Sequence, residues 1–189
     1  MRVGILALQG DFAAHAVVIQ RLGHDVVRVR HARDFDALDA LIIPGGESTA
    51  MLHGIDRDAL DTPLRHFLAS NRPVLGTCAG AILLARHVSG PSQPSYAALD
   101  IDVARNAYGT QIDSFTAPLD AGSSFPDFLA VFIRAPRIVR VGPEVNVLAR
   151  MHGEPVLVRN ANTWAATFHP ELTEDDRPLR AWLEAPPNA

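Results

Sequence analysis

Cys78 is the only cysteine in the chain, and it stands in Gly76-Thr77-Cys78-Ala79-Gly80. The apolar run Pro73-Val74-Leu75 precedes it and the helix-like run Ala79 to Arg86 follows it. A small-x-Cys-x-Gly turn between a strand and a helix is the thiol form of a nucleophile elbow. Its glycines permit a sharp turn, and the partial positive charge of the helix N-terminus favours thiolate, the nucleophilic form. A lone cysteine also reads as a small buried hydrophobe, and the far end of the chain weighs between the two. There stands Thr167-Phe168-His169-Pro170-Glu171. A thiol nucleophile needs a base, and the base needs a third group to orient it. In an extended His-Pro-Glu segment the imidazole and the carboxylate fall on the same side of the chain, and Pro170 stiffens the spacing. Alone, this segment reads equally as a surface turn before a terminal helix. An elbow cysteine followed by His-x-Glu is more specific than either part, and the chemistry it points to is nucleophilic catalysis by a Cys-His-Glu relay.

Strands alternate with helices over the first half. Val3 to Leu8 is a continuous apolar run, as expected of a strand buried on both faces. Asp11 to Leu22 carries Phe12, Val17, Val18, Ile19 and Leu22 at helical spacing, and Gly23 sits at a C-cap position. Asp25 to Arg30, Leu38 to Ile43 and Val74 to Thr77 read as further strands, and Asp58 to Ser70 as a helix. Repeated β-α-β order predicts an α/β three-layer sandwich with a central, mostly parallel sheet of flavodoxin-like type. In such sheets ligands bind outside the carboxyl ends of the strands. Gln9-Gly10, Gly45-Gly46-Glu47-Ser48 and Cys78 each follow a predicted strand, so all three are expected at one edge.

The second half is richer in β-like runs. Ile101 to Ala107 and Gln111 to Ala117 flank Tyr108-Gly109-Thr110, which predicts a hairpin. Leu129 to Ile133, Val145 to Met151, Pro155 to Arg159 and Trp164 to Phe168 are further candidate strands, with a closing helix over Asp175 to Leu183. Ser89 to Ser95, with Gly90, Pro91 and Pro94, reads as a loop. No linker, repeat or low-complexity block interrupts the chain, which predicts a single domain over 1–189 with a frayed tail over 185–189.

The 189 residues suffice for one sizeable core, and 48% are hydrophobic. A net charge of −4 gives no electrostatic reason to expect nucleic-acid binding. One cysteine excludes an internal disulfide, and the apolar run after Met1 is too short for the h-region of a signal peptide and reads as a first strand; both point to the cytoplasm. No apolar run is long enough to span a membrane. His24, His31, His53, His66, His87 and His152 show no metal-ligand spacing, so no metal is expected. No glycine pattern supports a nucleotide site, and no cofactor is expected.

The blocks Leu6-Ala7-Leu8-Gln9-Gly10-Asp11, Pro44-Gly45-Gly46-Glu47-Ser48-Thr49, Gly76-Thr77-Cys78-Ala79-Gly80, Arg105-Asn106-Ala107-Tyr108-Gly109, Ser114-Phe115, Val131-Phe132-Ile133-Arg134-Ala135-Pro136 and Phe168-His169-Pro170-Glu171-Leu172 run in order over nearly the whole chain. Together they resemble the class I glutamine amidotransferases, and within these the glutaminase subunits of pyridoxal 5′-phosphate synthases. The elbow and His-Pro-Glu are common to the wider class; Gly-Gly-Glu-Ser-Thr and Phe-Ile-Arg-Ala-Pro discriminate within it. Ala14-His15 stands where Glu-His is usual, and Gly109-Thr110-Gln111 where Gly-Arg-Gln is usual.

The resemblance implies hydrolysis of L-glutamine to glutamate and ammonia, with Cys78 as nucleophile, His169 as base and Glu171 orienting it. It implies an oxyanion hole from the backbone N–H groups of Gly46 and Ala79. Glutamine is expected among Gly46, Glu47, Ser48, Arg105, Ile133 and Arg134. An arginine suits its carboxylate, and Glu47 its ammonium. Solvated strand ends for the two arginines, a plain turn for Gly45-Gly46 and a helix cap at Ser48 are the simpler readings of those residues. The implied partner is the β/α-barrel synthase subunit, in a hetero-oligomer, with Gln9, Gly10 and His15 as partner contacts. Pyridoxal 5′-phosphate is then a product of the assembly and no cofactor of this chain. A glutaminase subunit serving another synthase, a cysteine hydrolase or stress protein of the related sheet fold, and a non-catalytic regulatory subunit are the alternatives.

Overall fold

The computed structural model describes residues 1–105 and 114–185. Its elements in chain order are β1 (Arg2–Leu6), α1 (Phe12–Arg21), β2 (Asp25–Val29), β3 (Ala40–Ile43), α2 (Ser48–Arg57), α3 (Asp61–Leu68), β4 (Val74–Thr77), α4 (Ala79–Leu84), β5 (Ala85–Ser89), β6 (Leu99–Ala104), β7 (Ser114–Pro118), β8 (Leu129–Ile133), β9 (Arg137–Val141), β10 (Asn146–Met151), β11 (Glu154–Asn160), β12 (Thr163–Ala166) and α5 (Arg177–Glu184). Two 3-10 turns, Ala32–Phe35 and Pro170–Leu172, complete the list.

A seven-stranded sheet runs β10-β11-β12-β4-β3-β1-β2. β1 pairs in parallel with β2 and β3, β3 with β4, and β4 with β12. β11 and β10 add antiparallel strands at one edge. The sheet is therefore mostly parallel, as the β-α-β order predicts. Successive residues of a strand point to opposite faces, and β3 shows the result: Leu41 and Ile43 pack into one hydrophobic layer, Ala40 and Ile42 into the other. The first layer holds core residues of α2, α3 and α4, and the second those of α1 and α5.

α1 begins where the Asp11 side chain accepts the Ala14 N–H at 3.3 Å, one of the orphan donors of a first turn. Its buried residues, His15, Val18 and Ile19, share one face. β4 and β12 end level, with Thr77 beside Ala166. This register sets Cys78 close to the chain that continues from Ala166 towards His169.

Three expectations are corrected. The helix predicted over Asp58 to Ser70 starts at Asp61, and a separate helix, α2, precedes it. Ala59 at φ +55° lies between them in the left-handed region, which no helix continues through. The run after Cys78 leaves the helix at Leu84, and Ala85 to Ser89 forms a strand. The predicted hairpin does not form between the described strands: β6 pairs with β5 and β9, and β7 with β8. Its turn, Tyr108-Gly109-Thr110, lies outside the described residues, as do residues 186–189 of the expected tail.

Candidate active site

Cys78 caps the start of α4 at φ +47° and ψ −102°. Such a backbone is costly for a residue with a Cβ. Its N–H donates to the Ala166 carbonyl at 2.8 Å, which binds the turn to β12. The neighbouring glycines are required by contact. A Cβ on Gly80 would lie 1.9 Å from the Ile43 carbonyl oxygen, and one on Gly76 2.6 Å from the Gly80 carbonyl carbon. The thiol donates to the Ile133 carbonyl at 3.7 Å.

His169 leaves β12 on the same edge. Its N–H donates to the Val131 carbonyl at 2.8 Å, and Phe168 before it packs on Phe132 with ring centroids 5.8 Å apart. Both rings are fully buried. One aromatic contact and one hydrogen bond thus fix the chain after β12 against β8, with His169 tied to Val131. The 3-10 turn Pro170–Leu172 then folds Glu171 back, so that His169 Nδ1 donates to Glu171 Oε1 at 2.7 Å. Burial opposes a charge on His169, but the Cys78 thiol and the Glu171 carboxylate outweigh it, and its pKa is pushed up to about 10. Burial also opposes the Glu171 charge; His15 and His169 prevail and hold it below its ordinary value. A sulfur, a charged imidazole and a buried carboxylate in this line have the arrangement that a thiol nucleophile and its base require.

The relay opens into a pocket of about 430 Å³, large enough for an amino acid. Gly46, Glu47, Ser48, Cys78, Arg105, Ile133, Arg134 and His169 line it, as do Gly45, Asp11, Ile82, Pro136 and Leu172. Of the expected residues, Ala79 lies behind this wall as the buried first residue of α4. Sequence reasoning missed Asp11, Ile82, Pro136 and Leu172. Ile82 stands one helical turn beyond Cys78, and Pro136 closes the Phe-Ile-Arg-Ala-Pro block; both spacings are visible in the sequence.

The glycine loop is held from below. Gln9 Oε1 accepts the Glu47 N–H at 2.6 Å, and Gly46 sits at φ +141°. A Cβ on Gly10 would lie 1.7 Å from the Gly45 carbonyl oxygen. Glu47, not Ser48, caps α2, accepting from the N–H groups of Thr49 at 3.1 Å and Ala50 at 2.7 Å. It also takes Arg105 at 3.2 Å. Burial favours its neutral form, yet these donors hold its pKa below the ordinary value. Ser48 Oγ instead donates to Gln93 Oε1 at 2.8 Å. Arg134 is exposed at φ +42° on the pocket rim.

Gln9 and Gly10 are exposed, as a partner contact requires. His15 is not. It is 0% exposed and lies 3.4 Å from Glu171 Oε1, so it presents no surface to a partner. The pattern His15, Val18, Ile19 follows i, i+3, i+4 and marks the inner face of α1; that signal was available in the sequence. Among the described residues no group of three or more His, Cys, Asp or Glu side chains is placed to hold a metal ion. No helix among them is long and apolar enough to cross a membrane.

The SNO glutamine amidotransferase family matches residues 5–184. The chain belongs to this family. Its relatives include the pyridoxal 5′-phosphate synthase subunit PdxT of Koribacter versatilis, 51% identical over 97% of this chain and 95% of the relative. The protein of the same name from Deinococcus radiodurans is 49% identical over 97% and 96%. A crystal structure described as a glutamine amidotransferase superposes with a TM-score of 0.89 at 44% identity, covering 96% of this chain and 97% of that one. This amidotransferase chain therefore shares both fold and near-complete length with its relatives.

Proposed function

We propose that this chain hydrolyses L-glutamine to L-glutamate and ammonia, and passes the ammonia to a synthase subunit that builds pyridoxal 5′-phosphate. The observation that carries this reading is the contact of His169 with both Glu171 and Cys78 at the floor of the pocket. The names of the relatives support the synthase as the destination. A cytoplasmic hetero-oligomer in one 1–189 domain is the setting this implies.

In the reaction, the Cys78 proton passes to His169, leaving a thiolate beside the charged imidazole, and Cys78 Sγ then attacks the carbon of the substrate's side-chain amide. The charge forming on the carbonyl oxygen is met by the N–H groups of Gly46 and Ala79. His169 returns the proton to the amide nitrogen, the C–N bond breaks and ammonia leaves. Water, deprotonated by His169, then attacks the γ-glutamyl thioester; the C–S bond breaks and the proton regenerates the thiol. Glu171 stabilises the imidazolium at each transfer. Arg105 and Arg134 face the α-carboxylate, with Glu47 towards the α-ammonium, while Ser48 and the Ile133 backbone complete the wall.

Ammonia is protonated in bulk water and loses its nucleophilicity, so the product needs an acceptor close by. The test is to mix the chain with its candidate synthase subunit and follow glutamate release and pyridoxal 5′-phosphate formation from glutamine. Glutamate without pyridoxal 5′-phosphate would support a glutaminase serving another synthase. Neither product would overturn the proposal.

A further inference from the structure

His15 takes no part in the relay above, yet it touches it. Its Nε2 lies 3.4 Å from Glu171 Oε1 and 3.2 Å from Thr77 Oγ1, while its Nδ1 is buried without a hydrogen-bond partner among the described residues. The two imidazoles of His15 and His169 thus meet at one carboxylate oxygen. Thr77 is fully buried and adjoins Cys78 in the chain. The titratable groups around His15 are Glu171 and His169 from the 3-10 turn and Asp11 from the start of its own helix, with Cys78 reached through His169.

Burial pushes the His15 pKa down, against the pull of Glu171, so the ring is neutral and carries one N–H. With that hydrogen on Nε2, it is donated to Thr77 Oγ1 with Glu171 Oε1 close beside it, and Nδ1 keeps only an unused lone pair. With it on Nδ1, a buried donor has no acceptor and the Nε2 lone pair faces a carboxylate oxygen. The first tautomer is favoured on both counts. Packing alone does not explain the residue. Its companions on the inner face of α1 are Val18 and Ile19, and an apolar side chain would fill the space without stranding a ring nitrogen.

We propose that His15 is a positioning residue: its Nε2–H, bonded to Thr77 and facing the Glu171 oxygen at 3.4 Å, fixes that carboxylate relative to Cys78. This rests on the glutaminase reading of the relay. A carboxylate in a short turn has rotamer freedom that one hydrogen bond to His169 does not remove. A positive N–H edge from α1, held in place by Thr77, restricts it, so that His169 stays aimed at the thiol.

The test compares His15→Leu, which fills the site without donating, with His15→Gln, whose amide N–H reaches the position of Nε2. Glutamate release is measured with the synthase subunit present. Alkylation of the single cysteine by iodoacetamide is followed against pH on the same proteins, with circular dichroism to check the fold. His15→Leu is expected to lower kcat about 10- to 100-fold with little change in KM, to slow alkylation at neutral pH and to move its pH profile. His15→Gln is expected to restore most of both. Wild-type kcat and alkylation in His15→Leu would overturn the proposal. So would equal losses in Leu and Gln with an unmoved alkylation profile, since that pattern is packing alone. If the Leu variant does not fold, Gln is compared with Asn, whose amide reaches only the Nδ1 position; equal behaviour of the two overturns the proposal. If the wild type releases no glutamate, the glutaminase reading fails, and the alkylation profiles still decide the role of His15.

Discussion

Gly45 lies so close beneath His169 that a Cβ on it would sit 2.3 Å from the imidazole Cε1. The base of the relay therefore rests on bare backbone. Gly45→Ala must displace the ring, because His169 is held on its other side by Glu171 and by the Val131 carbonyl. The expected outcome is a fall in kcat of about 100-fold and a stability loss of about 1–3 kcal/mol from overpacking. Glutamate release and urea denaturation measure the two. Normal turnover would mean that the imidazole position is not critical.

Cys78 combines a strained backbone with the proposed nucleophile. Cys78→Ser should abolish hydrolysis with the fold intact, since a hydroxyl is a far weaker nucleophile at neutral pH. The strain makes a separate prediction for two inactive variants. Alanine keeps the Cβ at φ +47°, whereas glycine relieves it. Relief of about 1–3 kcal/mol exceeds the glycine entropy cost of about 0.5–1 kcal/mol. Cys78→Gly should thus be more stable than Cys78→Ala in urea. The reverse order would show that the elbow is not strained.

Glu171→Gln should lower kcat more than it raises KM. The carboxylate meets the imidazolium from which the proposed proton transfers run, and it lies on the far side of His169 from the pocket. A rise in KM at unchanged kcat would make Glu171 a substrate contact instead.

Much of this site was legible because its parts are local. The apolar runs ending at Ile43 and Thr77 fixed two strands, and a strand-to-helix turn at Cys78 followed from them. His-x-Glu needed only a proline between its members. Pairing was less legible, because a strand's neighbour depends on distant chain. β5 buries only Ala85 and Val88, and β9 chiefly Ile138, so neither shows a strong apolar run. β6 took these two as partners, where the sequence pointed to a hairpin with β7. The resemblance makes His15 a partner contact, whereas its helical spacing with Val18 and Ile19 places it inside.

Two histidines should shape stability against pH in opposite directions. His15 has its folded pKa held below 6.5 by burial, so its contribution is present above pH 6.5 and lost as pH falls below it. His169 has its folded pKa raised to about 10, despite burial, by Cys78 and Glu171. Its contribution is full below pH 6.5 and lost as pH rises through about 10. Each limb has a slope of at most about 1.4 kcal/mol per pH unit. In urea titrations, His15→Gln should flatten the acid limb below pH 6.5 and His169→Asn the alkaline one. Limbs unchanged in both variants would assign the dependence to other groups.

Gln9 and Glu47 connect the exposed edge of the sheet to the pocket loop. Gln9 Oε1 holds the Glu47 N–H at 2.6 Å, and it would lie 2.4 Å from a Cβ on Gly46. The exposed Gln9-Gly10 pair thus grips the glycine loop whose Gly46 N–H is proposed to meet the oxyanion. Glycine at φ +141° can turn its peptide at little steric cost. A synthase subunit docking on Gln9-Gly10 has a direct route to that peptide. Completing one oxyanion donor is worth about 10²- to 10³-fold in turnover. The expected result of titrating synthase subunit into a fixed amount of this chain is a rise of that order in glutamate release, saturating at a fixed ratio. Gln9→Ala should blunt the rise while leaving iodoacetamide alkylation of Cys78 unchanged, because the relay itself does not involve Gln9. Equal activity at every point of the wild-type titration, including none added, would rule out control through this loop and leave the hydrolytic assignment standing.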